Sequence, residues 1–281
     1  MKRKLILIAF ATLLITSIAL ALYPTVSSII NSEIAKSTIN QYNNLVDSLD
    51  NEEIDKYLSQ AEKYNQNLSN IVSDSFSPDA YNVDPEYKDI LDFANDGMIG
   101  NISIPKIDCH LPIYHGIDES FLEKGAVHMC NTSLPIGGKS THGVISAHTA
   151  LPGKIFFDKL DKLEVGDKFY VSVLGKTLLY KVKDINIVLP TDTTLLKIVE
   201  NEDLITLVTC TPYSINTHRL LVTGERDENY KDDTDIQSEE NATHNYYIYS
   251  GFIVTLGIFV SLFFIIKRRK HNNDKKNKQE N

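Results

Sequence analysis

Two long apolar runs, residues 5–22 and 246–266, bracket the chain, and each is close to the roughly 20 residues that an α-helix needs to cross a bilayer's hydrocarbon core. Lys2, Arg3 and Lys4 precede the first run, and Lys267-Arg268-Arg269-Lys270 follow the second. Lys and Arg stay on the cytoplasmic side of a membrane. The flanks therefore predict a two-pass hairpin in the cell membrane, with the basic ends 1–4 and 267–281 cytoplasmic and everything between them extracellular. A cleaved signal peptide is the alternative for the first run, since Ala19-Leu20-Ala21 resembles a cleavage site, although the run exceeds the usual 7–15-residue apolar region. In both cases the folding segment is exported.

Of the chain's 28 basic and 37 acidic residues, 18 and 35 lie in this exported part, a net charge of −17. Such a surface repels nucleic acid and suits cationic or lysine-bearing partners. Three cysteines, Cys109, Cys130 and Cys210, cannot all pair. If Cys109 and Cys130 join, Cys210 is an odd thiol, which in an exported protein points to reactivity. No Cys/His spacing for zinc is present, so neither a metal nor another cofactor is expected.

Apolar residues recur at helical spacing from Ile30 to Leu68, which predicts helices over 23–68 with a break near Asp50-Asn51. Residues 69–96 carry Pro78, Pro85 and many Asp, Asn and Ser, and read as an irregular loop. Beyond it, short runs bounded by turn residues predict strands over 143–148, 168–174, 177–189, 203–209 and 219–225. A short helix is expected over 120–129 and a helical turn over 155–163. Many short strands with turns between them indicate a mainly β barrel or sandwich over 97–227. Residues 228–245 are acidic and polar, and read as a tether to the second apolar run.

One strand–loop–strand unit carries the chemistry. The run 203–208 is apolar and β-branched, and Thr211-Pro212-Tyr213 turns the chain just after Cys210. A second run, Leu220-Leu221-Val222, begins right after Arg219. Adjacent strands would then bring a thiol and a guanidinium to the same end of a sheet. Cysteine reacts as its thiolate, which needs a positive neighbour at neutral pH.

Thr206-Leu207-Val208-Thr209-Cys210, Arg219 nine residues later and a His on an upstream strand resemble the signature of the sortases, cysteine transpeptidases of Gram-positive cell surfaces. The longer stretch through His218-Arg219-Leu220-Leu221-Val222 resembles the class C, pilin-polymerising branch. Met98-Ile99-Gly100-Asn101-Ile102, within 97–107, and Leu111-Pro112-Ile113-Tyr114, within 111–116, resemble the first two strands of its barrel. The resemblance implies an eight-stranded sortase-type β-barrel with short helices, an N-terminal helical segment and two flanking transmembrane helices.

For the site, the resemblance implies Cys210 as nucleophile, His148 as proton donor and Arg219 as holder of the substrate or the oxyanion, with Thr209 supporting. His218 is the rival of His148, but a strand neighbour of Arg219 points to the opposite face. The family's Ser-Gly-His-Arg-Gly is here Ser146-Ala147-His148-Thr149-Ala150, while Leu151-Pro152 and Phe157-Asp158-Lys159-Leu160 keep the pattern. Class C members carry an Asp-Pro-aromatic lid over the thiol. The nearest equivalents are Asp74-Ser75-Phe76, with Ser in place of Pro, and Asp84-Pro85-Glu86-Tyr87; Asp74 and Phe76 fit the family's spacing better.

The implied activity is cleavage of an LPxTG-like sorting signal between Thr and Gly through a thioester, then transfer to a pilin lysine amine. A housekeeping sortase that anchors proteins to peptidoglycan, and a non-catalytic surface adhesin, are the alternatives.

Overall fold

The computed structural model describes residues 2–68, 85–116 and 118–230. The first lid candidate, Asp74 and Phe76, and the second apolar run lie outside the described residues.

Helix α1 (Lys2–Val46) is continuous from the first apolar run into the polar region, with Pro24 inside it. At 1.5 Å per residue, its 45 residues extend roughly 67 Å. Ala35, Tyr42 and Val46 are buried and Ile39 is partly so, a helical stripe laid on the barrel. The Tyr42 hydroxyl donates to the Ile99 carbonyl (2.9 Å) and accepts from the Leu174 amide (3.2 Å).

The break expected near Asp50 is a capping box. The Asp50 side chain accepts from the Glu53 amide, and the Glu53 carboxylate accepts from the Asp50 amide, which starts α2 (Asn51–Asn67). Near the end of α2 the Asn65 amide group grips both backbone groups of Leu134, accepting at 2.7 Å and donating at 3.1 Å. Within the stretch read as loop, α3 (Pro85–Asp89) is a short helix.

Eight strands close into a barrel: β1 (Met98–Ile104), β2 (Cys109–His115), β3 (Ala126–His128), β4 (Thr141–Ser146), β5 (Lys168–Val173), β6 (Lys176–Val188), β7 (Asp203–Thr211) and β8 (His218–Arg226). Their order around the wall is β1-β2-β3-β4-β7-β8-β6-β5, parallel at β2–β3 and β4–β7 and antiparallel elsewhere. Closure gives every strand a neighbour on both sides.

The fold also departs from the expected elements after α3. The helix expected over 120–129 is only α4 (Glu119–Leu122), and Ala126-Val127-His128 leave it to form β3. Three buried residues paired on both sides outweigh the local helical pattern.

Alternation sorts the wall into two faces. Ile145, Ile205, Leu207, Leu220 and Val222 point into the main core, whereas Val144, Val208 and Leu221 point outward into a second cluster with Met129 and Leu196. The outward cluster underlies the site.

Candidate active site

Cys210 lies inside β7, one residue before its end, and pairs directly with Arg219 of β8. The strand therefore runs further than the sequence indicates, and the connection to β8 is shorter. Counting by twos, Cys210 shares the outward face with Val208, and Arg219 shares it with Leu221. The thiol is partly exposed, while the Arg219 side chain is buried. Arg219 also lines a shallow apolar groove with Met129, Val188, Pro190, Leu196 and Val208.

His148 stands two residues beyond β4. The parallel register pairs Ser146 with Val208, and two more steps on each strand bring His148 level with Cys210. Two bonds prolong the alignment past the end of the strand: the Ala147 amide donates to the Val208 carbonyl (3.2 Å), and the Thr209 hydroxyl donates to the Ala147 carbonyl (2.8 Å). Thr209 is buried on the inward face, with its proton given to the segment that carries His148. Its support goes to the scaffold.

The loop after His148 is fixed from within. The Phe157 amide donates to the His148 carbonyl (3.1 Å), and the Asp158 carboxylate accepts from the amides of Ala150 and Phe156, both at 2.9 Å. The bonds to the Asp158 carboxylate explain an aspartate at that position, while Phe157 is there as a buried core side chain. The Glu119 carboxylate of α4 lies 3.6 Å from Nε2 of His148. Nothing in the sequence spacing pointed to Glu119, because α4 and β4 meet only in the folded barrel.

The rival histidines have other occupations. His218 starts β8 opposite Thr211, and its Nδ1 contacts the Thr217 hydroxyl (3.0 Å). His142 is buried, with Nδ1 on the Lys197 carbonyl (2.8 Å) and Nε2 on the Thr206 hydroxyl (2.7 Å). His128 donates from Nε2 to the Ser133 carbonyl (2.8 Å) and takes the Tyr87 hydroxyl at Nδ1 (2.6 Å). Burial holds His128 down to about 3.

That last bond bears on the second lid candidate. Tyr87 is 1% exposed, and its ring packs on those of His115 and His128. This ring is a fixture of the core beside His115 and His128.

All three cysteines are free thiols. The β1–β2 hairpin places Cys109 at the start of β2, whereas Cys130 follows β3, which runs parallel to the end of β2. Their separation along the sheet is roughly 25 Å at 3.3 Å per residue, far beyond disulfide reach. The pairing considered from the sequence is therefore excluded by register. Burial pushes the Cys130 thiol up to about 11 and raises Cys109 further.

A family model described as "Sortase domain" matches residues 102–227. The crystal structure of sortase C-1 from Streptococcus pneumoniae is similar at a TM-score of 0.64 and 42% identity, covering 68% of this chain and 98% of that one. A pilus-related sortase C of Group B Streptococcus gives 0.62 and 40%, covering 66% and 95%. Among curated relatives, sortase A of Streptococcus agalactiae is 30% identical over 131 residues, which is 46% of this chain; the match spans about half (52%) of that relative's length. Barrel topology, the outward Cys210–Arg219 pair and near-complete coverage of sortase C structures at 40% identity or more lead to one conclusion: the chain belongs to the sortase family.

Proposed function

We propose that the chain is a membrane-held cysteine transpeptidase of the class C type, which joins pilin subunits. Cys210, His148 and Arg219 are its catalytic residues. One observation carries the reading: in adjacent strands of one wall, Cys210 is paired with Arg219 and level with His148 on the outward, solvent-accessible face.

In the first half-reaction the Cys210 thiolate attacks the Thr–Gly carbonyl of an LPxTG-like sorting signal. Negative charge gathers on the carbonyl oxygen, and the Arg219 guanidinium is the permanent cation beside it. As the tetrahedral species collapses, the C–N bond breaks and the His148 imidazolium gives its proton to the departing glycine amine. A thioester remains on Cys210.

In the second half the neutral amine of a pilin lysine attacks the thioester, His148 takes the amine proton back, and the Cys210 thiolate leaves. One amide is broken and one isopeptide is made, with no oxidant or cofactor consumed. Sortase C structures cover the chain better, and at higher identity, than the curated sortase A does, which favours pilin assembly over peptidoglycan anchoring.

The apolar first part of α1 is long enough to cross a membrane. In this reading it anchors the chain with its N-terminus inside, and residues 246–266 cross back. The test of the catalytic assignment is Cys210→Ala with an LPxTG-type peptide and an amine acceptor. Cleavage and the covalent peptide adduct should both disappear; turnover surviving in the variant would sink the assignment, and intact partner binding without any turnover in the parent would mark an adhesin.

A further inference from the structure

We infer that α1 holds the barrel with its His148 end against the bilayer, so that the turn at Gly153–Ile155 and the exposed Tyr23 and Val26 meet the lipid headgroup layer. The inference rests on the membrane reading of the first apolar run proposed above.

Two contacts fix how the barrel stands along α1. Near its apolar part, the Asn31 side-chain amide donates to the Gly153 carbonyl at 2.8 Å. Gly153 follows the end of β4, in the loop that begins at His148. The approach is close enough to require glycine: a Cβ there would lie 2.4 Å from the Ser27 hydroxyl, and φ is +75°. Further along, Tyr42 bonds to Ile99 and Leu174, at the start of β1 and in the β5–β6 turn.

Strand direction turns these contacts into an orientation. β4 and β7 run parallel and leave the barrel at the His148 and Cys210 end, whereas β1 and β6 enter at the opposite end. α1 therefore passes from the catalytic end at Ser27 and Asn31 to the opposite end at Tyr42. Its apolar run lies N-terminal to both.

Helical rise supplies the scale. Ser27 and Asn31 stand roughly 8 and 14 Å beyond Leu22 at 1.5 Å per residue, and headgroups extend about 5–8 Å beyond the hydrocarbon on each side. The turn clasped by these residues thus sits at the outer limit of the headgroup layer. The surface there carries an exposed apolar stripe: Tyr23 and Val26 are 62% and 50% exposed, the Tyr23 hydroxyl lying beside Gly153, Ile30 one turn further on is 54% exposed, and Ile155 is 53% exposed. The stripe continues the lipid-facing run of the same unbroken helix, which makes the bilayer its occupant rather than a second protein.

The chain contains no tryptophan, so one introduced indole reports alone. Full-length chain is placed in phosphatidylcholine vesicles carrying lipids brominated either near the headgroup or near the acyl-chain end. Three variants are compared: Leu13→Trp in the span, Ile155→Trp in the turn, and Val199→Trp just before β7, at the opposite end of the barrel. Leu13→Trp should be quenched by the deep bromines, Ile155→Trp should lose about half its emission to the shallow ones, and Val199→Trp should lose none. Asn31→Ala in the Ile155→Trp chain should lessen the shallow quenching. Should Ile155→Trp fail to fold, Tyr23→Trp takes its place.

Quenching of Leu13→Trp with none of Ile155→Trp would overturn the orientation and leave the membrane span standing. No quenching of Leu13→Trp would remove the span, and the orientation with it. Quenching of Val199→Trp in preference to Ile155→Trp would invert the barrel.

Discussion

Cys210 and Arg219 occupy facing positions in the β7–β8 pairing, and both project from the outer wall of the barrel. A cross-strand pair lies within about 5.5 Å between Cα atoms, so β-pairing itself sets the two side chains beside each other on one face.

Arg219→Lys retains the charge but loses the planar fork that can hold an oxyanion from two nitrogens. We expect turnover of an LPxTG-type peptide to fall about a hundredfold, in kcat more than in KM, with the far-ultraviolet spectrum unchanged. A lysine variant within threefold of the parent would reduce Arg219 to a general source of positive potential.

Thiol chemistry should single out Cys210. Cys109 and Cys130 are buried, with thiols pushed upward by desolvation, so neither supplies thiolate near neutral pH. One equivalent of an alkylating reagent should enter the folded chain at about pH 7, at Cys210 by peptide mapping, and three should enter in denaturant. Labelling of Cys130 in the folded chain would show that the β3 end opens.

Acid should destabilise the barrel through two buried histidines. His128 is held neutral by burial, helped by the neighbouring His115 and only partly opposed by its bond to the Ser133 carbonyl. His115 is pushed down to about 4, and its Nδ1 has no partner among the described residues. The unfolded chain titrates near 6.5, so from there down to about 4 it binds more protons than the folded one, and stability rises with pH. The contribution is complete above about pH 6.5 and drains away toward pH 4, by at most about 1.4 kcal/mol per pH unit for each histidine. Urea midpoints taken across that window should fall with pH, less steeply in His128→Gln; equal slopes would assign the acid lability elsewhere.

Thr209→Val tests the bond that aligns the histidine segment. Loss of the Thr209 hydroxyl leaves the buried Ala147 carbonyl without its 2.8 Å partner, which costs about 1–2 kcal/mol of stability. A displacement of His148 relative to Cys210 should also lower kcat about tenfold. If the variant lost stability but kept full activity, the alignment of His148 would depend on the Ala147–Val208 backbone bond and the Phe157 and Asp158 bonds instead.

How much of this was legible beforehand differs by element. Alternation and turn residues located five of the eight strands, the resemblance to sortase strands located β1 and β2, and the Asp50 capping box marked its helix boundary by chemistry confined to four neighbouring residues. β3 escaped because a three-residue strand carries almost no periodic signal and exists only by pairing with β2 and β4. Glu119 escaped for a related reason: its 3.6 Å approach to His148 joins two connections with no shared local pattern.

The amino-acid order by itself determined the kinds of element, the apolar runs and the short motif around Cys210, because each depends on residues within a few positions of one another. Only the tertiary structure decided that Cys210 and Arg219 face outward, that His148 comes level with them, that Cys109 and Cys130 are too far apart to join, and that Asn31 grips the loop beyond the histidine. Those outcomes follow from barrel closure and parallel register, which join segments tens of residues apart and leave no trace in local composition.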